Sequence, residues 1–115
     1  MPVRKYSDLL ATAVRMEGAK NVFKKIPVGA SEGWDGYTLR TFTLEPGGHT
    51  PRHSHDWEHV NYIIRGRGIL MIDGKDHEVS ERDFAFVPPN SAHQFSNSND
   101  EVFEFICIVP NRGEY

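Results

Sequence analysis

The chain carries a single cysteine, Cys107, among its 115 residues, which excludes an internal disulfide framework. It has no apolar run approaching the length of a membrane-spanning helix, so no membrane partner is expected. It also lacks any run of lysines or arginines, and with a net charge of −3 it offers no stripe for tracking phosphates; nucleic acid is not an expected partner. Arg4 and Lys5 are not followed by the apolar core of a signal sequence, so the cytoplasm is the expected location. Repeats, linkers and low-complexity segments are missing as well. A chain that is 38% hydrophobic and 25% charged has the composition of one globular domain, here residues 1–115.

What is present is histidine, unevenly distributed. Four of the six histidines, His49, His53, His55 and His59, fall between Gly48 and Val60. His53 and His55 are two apart, so on a β-strand both rings project from one face. His59 opens the run Val60-Asn61-Tyr62-Ile63-Ile64, which reads as a strand folded back by the loop Asp56-Trp57-Glu58. His93 follows Val87-Pro88-Pro89-Asn90-Ser91-Ala92, a strand ending in a tight turn. A cluster of neutral imidazoles has no structural purpose inside a small apolar barrel, whereas it is what a transition metal requires. His53, His55, His59 and His93 are therefore the candidate metal ligands. His49 is read as a non-ligand and His77 as exposed. Glu58 is the rival to His59, one residue away in register.

From Tyr37 onward the pattern is strand after strand. Tyr37 to Glu45 sets Leu39, Thr41 and Thr43 against Arg40, Phe42 and Leu44 with period two. Pro46-Gly47 suits a type II turn, which needs φ > 0 at its second central residue. Gly66-Arg67-Gly68 precedes Ile69 to Ile72, Asp73-Gly74 marks a two-residue hairpin, and Lys75 to Val79 returns. Asp83 to Val87, His93 to Ser96 and Glu101 to Pro110 complete a set that predicts an all-β sandwich or barrel. Residues 1–36 are less informative. Ser7-Asp8 could open an amphipathic helix ending at Gly18; the competing reading is an extended arm followed by a strand from Val22 to Val28.

The histidine stretch resembles the first cupin motif: a glycine, five residues, His-x-His, three or four residues, an acid, six residues and a glycine. Gly47, His53, His55 and Gly66 match it, with His59 standing where the family usually has glutamate. Pro88, His93 and Asn97 match the second motif, with Arg82 and Asn90 in the places of two glycines. Asn tolerates the left-handed conformation better than most residues. The resemblance covers roughly residues 37–109 and implies a cupin-type double-stranded β-helix (jelly-roll) barrel, with 1–36 as N-terminal arm and first strand and 37–110 as the barrel core. It is closest to small single-domain cupins with four-histidine sites. It also favours the extended arm, lent to a neighbouring subunit, and hence a homodimer.

Strand parity places further residues. If His59 points inward, so do Asn61 and Ile63, and on the last strand Phe103, Phe105, Cys107 and Val109 share the inner face. Asn61, Phe105 and Cys107 are candidates for the layer behind the ligands, although a small buried hydrophobe is the plainer account of Cys107. Glu104 falls on the other face, as a solvated or interface charge. Trp34 and Trp57 are candidates for the pocket mouth, against the plainer role of capping the barrel.

Nitrogen ligands suit one divalent transition metal per chain, Mn or Fe, with Ni, Cu, Co and Zn also compatible. Such an ion polarises a carbonyl or enolate oxygen, or lowers the pKa of bound water. With no obvious general base on the inner faces, the sequence points to metal-centred oxidation of a small organic substrate, and resemblance to small cupins implies a dioxygenase-type oxidoreductase. The alternatives are a non-catalytic module binding a small molecule or a metal–carboxylate complex, and a sugar or carboxylate isomerase, which would want a Lys or Glu base in the pocket.

Overall fold

The computed structural model describes residues 3–113, and these form one curled antiparallel sheet. Nine strands run in chain order: β1 Thr12–Ala13, β2 Lys20–Val28, β3 Tyr37–His49, β4 His59–Arg65, β5 Arg67–Ile72, β6 Lys75–Ser80, β7 Phe84–Val87, β8 His93–Ser96 and β9 Phe103–Pro110. Their neighbours follow the order β6-β5-β8-β3-β9-β4-β7, with β2 added beside β3 and β1 beside β2. This is the all-β class expected from the period-two pattern, in the jelly-roll form that the resemblance implies. None of the described helices is long and apolar enough to cross a membrane.

Turn chemistry sets the corners. Asp73 and Gly74 both have φ > 0, as a two-residue hairpin of the type I′ class requires. Gly66, at φ +75°, lets β4 run directly into β5; a Cβ there would meet the Val102 carbonyl oxygen at 2.2 Å. Arg82 and Asn90, the two residues standing in for motif glycines, both adopt the left-handed conformation, at φ +75° and +70°.

Three expectations are corrected. The strand from Tyr37 does not stop at Pro46-Gly47: Gly47 has the positive φ of +80°, but it is absorbed as a bend and β3 continues to His49. No helix spans residues 7 to 18. A short 3-10 turn at Tyr6–Asp8 is followed by β1, which pairs with β2 of the same chain. Glu104 is not a solvated charge, being only 5% exposed, because Tyr6 and Thr43 both donate hydrogen bonds to its carboxylate.

Inside the barrel, parity holds. Phe103, Phe105, Cys107 and Val109 of β9 are buried, as are His59, Asn61 and Ile63 of β4 and Arg40, Phe42 and Leu44 of β3. Phe105 stacks on Phe95 at 3.9 Å and packs against Phe42 and Phe103, so one half of the interior is an aromatic core. The other half is polar. Arg40 of β3 lies opposite Cys107 of β9, which lies opposite Asn61 of β4, so one row of three inward side chains crosses the sheet beneath the histidines.

Candidate metal centre

Two strand starts and one irregular segment bring the histidines together. His59 is the first residue of β4, opposite Val87, and His93 is the first of β8, opposite Ile72. His53 and His55 are not on a regular strand, contrary to the expectation for a His-x-His pair. The segment touches the sheet through a single bridge, His53 N–H to His93 O at 3.2 Å and His93 N–H to His53 O at 2.9 Å. His55 is fixed from outside, since its carbonyl accepts the Asn90 N–H at 2.6 Å and its ring lies flat on Trp57 at 4.2 Å. The left-handed Asn90 turn thus helps to place His55 as well as His93.

One nitrogen each from His53, His55 and His93 lies within 4.8 Å of the other two. His59 reaches the group through His93, with the two Nε2 atoms 3.2 Å apart. The ring orientations are set by what the Nδ1 atoms face. His55 Nδ1 is 2.9 Å from the Trp57 carbonyl and His93 Nδ1 is 2.9 Å from the Ser91 carbonyl. A carbonyl only accepts, so these nitrogens carry the proton and donate it. Asn61 does the same for His59: its Nδ2 donates to the Ile106 carbonyl at 3.2 Å, which turns its Oδ1 toward His59 Nδ1 at 2.7 Å. In His55, His59 and His93, Nε2 is left as the lone-pair nitrogen.

Burial keeps these rings neutral. It is the largest influence pushing His53, His59 and His93 down from 6.5 to about 4, and it lowers His55 as well. The positive charge of Arg40 adds to the depression at His53, His55 and His59. The 3.2 Å contact between His59 and His93 is therefore a meeting of two Nε2 lone pairs with no proton to share. That arrangement is repulsive by itself and fits a cation between them, so the donor set suits a borderline divalent ion.

The histidines line one wall of a cavity of about 40 Å³, whose apolar wall includes Phe42, Phe95 and Phe105 and whose floor holds Arg40 and Cys107. Of the other residues singled out in the sequence, Asn61 supports His59 from behind, and Trp57 stacks on His55 outside the cavity lining. Trp34 packs on Tyr37 and is not among the lining residues. His49 and Glu58 are not among them either, and His77 is exposed. Arg40 was not singled out as a site residue. Its signal was the period-two face it shares with Phe42 and Leu44, a cation on a side of β3 that is otherwise apolar.

The family model for the cupin domain matches residues 40–109, more than half of the chain. The chain belongs to the cupin family. Among curated proteins, this cupin is 37% identical over 71 residues to the 1-methylthio-D-xylulose 5-phosphate methylsulfurylase of Rhodospirillum rubrum, covering 62% of this chain and 46% of that one. It is 28% identical over 67 residues to an oxalate-binding protein of Thermotoga maritima, covering 57% and 55% of the two chains. The chain spans about half the length of the curated relatives it matches. Among solved structures, the polyketide cyclase RemF of Streptomyces resistomycificus superposes with a TM-score of 0.90 at 29% identity, over 96% of this chain and 79% of that one.

Proposed function

We propose that this cupin is a metal-dependent enzyme in which His53, His55, His59 and His93 hold one divalent transition metal through imidazole nitrogens. The observation that carries the reading is the convergence of neutral rings, three of which, His55, His59 and His93, have their Nδ1–H groups already committed to oxygen acceptors. A divalent ion held there supplies a Lewis-acidic centre for a carbonyl or enolate oxygen and, for Mn or Fe, reactivity toward O₂. Asn61 keeps His59 in the tautomer that presents Nε2. Phe42, Phe95 and Phe105 keep bulk water from the reacting face. Among the described residues the cavity lining has no Asp, Glu or Lys to act as a general base, which favours dioxygenase-type oxidation of a small electron-rich substrate over isomerisation.

A second reading is favoured by one observation, the likeness to a polyketide cyclase over almost the whole chain. In that reading the same centre polarises a carbonyl without consuming O₂. A third, a binding module without turnover, is kept open by the oxalate-binding relative. Elemental analysis of protein purified from its own host tests the centre: about one equivalent of metal is expected, lost in the variant with all four histidines changed to alanine. Metal retained at full stoichiometry by that variant overturns the assignment. Oxygen-electrode measurements on Fe(II)- and Mn(II)-loaded protein with phenolic and diketone substrates test the chemistry. Substrate consumed without O₂ uptake selects the redox-neutral reading, and binding without consumption selects the module.

A further inference from the structure

The cavity beside the imidazoles is smaller than the molecules a substrate site takes. Its volume of about 40 Å³ holds only a few waters, whereas pockets for small organic molecules span about 300–1,000 Å³. A molecule of that size fits beside the histidines only if part of the lining yields. Most of the lining is fixed. The residues it takes from β2, β3, β4, β8 and β9 stand on strands that have a neighbour on either side. Thr50, in the segment that leads to His53 and His55, is tied to β8 twice. Its N–H donates to the Phe95 carbonyl and its hydroxyl accepts the Phe95 N–H, both at 2.9 Å.

Val14 is the exception. It follows β1, a strand of two residues at the outer end of the sheet whose one strand neighbour is β2. Thr12 pairs with Lys24 and Ala13 with Phe23, and the Val14 N–H adds a bond to the Val22 carbonyl at 2.9 Å. The stretch around Val14 is held more firmly at its ends than between them. On one side Leu9 is buried and the Tyr6 hydroxyl donates to the Glu104 carboxylate. On the other, Gly18 turns the chain at φ +88° and lies against Pro51, whose Cα a Cβ at Gly18 would meet at 3.4 Å. Leu10, just inside the first anchor, is 83% exposed. Local opening draws on stretches of this kind, with few buried contacts and few backbone bonds, and residues at element ends absorb the change.

We propose that residues 10–17 form a gate over the metal cavity, and that Val14, the side chain this gate places in the lining, sets the size of the molecule admitted. In the closed position the isopropyl group of Val14 takes up space that a wider substrate would occupy. Opening separates β1 from β2 at the outer end of the sheet, while the four histidines, on other elements, keep their places. Away from the histidines, Arg40 and Cys107, the lining is Val, Pro and Phe with Thr50. The enlarged site therefore suits a molecule with an apolar ring or chain attached to the atom that meets the metal. Val14 selects by size and takes no part in bond breaking.

The inference rests on the metal-centre reading for what is admitted but not for the motion, and the test separates the two. Cys107 lines the cavity and is 3% exposed, so the rate at which 4,4′-dithiodipyridine labels it in chelator-treated protein reports opening without any metal. In Co(II)-loaded protein, the visible spectrum follows the binding of azide, which is small, and of 4-phenylimidazole, which is not. Ala13 and Phe23 are partners across β1 and β2, with Cα atoms about 5 Å apart, so Ala13→Cys with Phe23→Cys closes the gate when oxidised. The oxidised tether is expected to slow both Cys107 labelling and 4-phenylimidazole entry by about tenfold or more relative to wild type, and reduction to restore entry. Val14→Ala is expected to tighten 4-phenylimidazole binding about tenfold and leave azide unchanged. Labelling and entry as fast in the oxidised tether as in wild type overturn the gate. A Val14→Ala protein that binds 4-phenylimidazole no more tightly than wild type overturns the size selection. A wild type that takes up no Co(II) overturns the metal centre instead, and the labelling rates then decide the gate alone. Should the tethered protein fail to fold, hydrogen exchange of wild type decides: the Val14 amide is expected to exchange about 100-fold faster than those of β3 and β9, and equal protection refutes the gate.

Discussion

Metal-free protein should be acid-sensitive in a defined window, and His59 gives the magnitude. Its ring is 3% exposed, and burial lowers its pKa from 6.5 to about 4. Above pH 6.5 the ring is neutral in both folded and unfolded chains and contributes no pH dependence. As the pH falls from 6.5 toward 4, the unfolded chain takes up a proton that the folded chain refuses, so stability drops. The loss from His59 alone is about 2 kcal/mol at pH 5 and about 3 kcal/mol once the folded pKa is passed. His53 and His93 are lowered in the same direction, and their edges face the open cavity where water screens part of the effect. Allowing about 1 kcal/mol for each gives a total near 4 kcal/mol at pH 5. That is a large share of the 5–15 kcal/mol typical of a domain, and corresponds to a fall in Tm of roughly 15 °C between pH 7 and pH 5. The assay is thermal or urea unfolding of chelator-treated protein at the two pH values, for wild type and His59→Gln. The variant should lose about 2 kcal/mol less than wild type over that interval. An equal loss in both proteins would show that His59 is not kept neutral by burial, and the argument for a lone-pair cluster would lose its footing.

Other expected outcomes follow from single contacts. Asn61→Leu removes the acceptor that holds His59 Nδ1–H at 2.7 Å, and metal affinity should drop about 10- to 100-fold in a chelator competition, with the stoichiometry preserved. Glu58→Ala should leave one equivalent of metal bound, whereas His59→Ala should lower affinity sharply; the opposite result would place the carboxylate in the centre. Gly66→Ala puts a Cβ 2.2 Å from the Val102 carbonyl oxygen at φ +75°, and should lower the urea-derived stability by about 2 kcal/mol or more. The homodimer proposed from the sequence rests on the N-terminal arm, so deleting residues 1–12 should shift the mass read by light scattering from dimer towards monomer and lower the Tm. A full-length protein that runs as a monomer at micromolar concentration would refute it.

Much of the fold was legible because its signals are local. Period-two alternation assigned the inner faces of β4 and β9 correctly, since a one-residue slip would have exposed Phe103 and Phe105 and buried Glu104's neighbours Ile106 and Ile108, whereas for β3 it separated the two faces without naming the inner one. Asp73-Gly74 and Gly66 fixed corners through backbone conformations that few residues adopt. The histidines were legible as residues that would meet, but not in the way they are held. The His-x-His pair was expected to share a strand face, and instead one bridge to His93 and the Asn90 turn place it. Such a bridge depends on a partner forty residues away and leaves no mark in the local pattern.

The two charged residues on the long strands show where parity stops being informative. Glu104 was read as a solvated or interface charge on the outer face, and it is not solvated, because Tyr6, ninety-eight residues earlier in the chain, folds over it. Its carboxylate now meets two hydroxyl donors, from Tyr6 and Thr43, in place of water. Arg40 shows the converse. Alternation put it with Phe42 and Leu44, and a charged residue on an otherwise apolar face is a local inconsistency that the pattern alone does not resolve. Parity names the face, but only the closed barrel shows that this end of the face borders a cavity rather than packed side chains. Phe42 and Leu44 go into the core, while Arg40, at the polar end of the same strand, reaches the space beneath the imidazoles. The strand that supplies the aromatic wall also supplies the buried cation, so the position of that charge relative to the histidines is set by the register of β3 on β9.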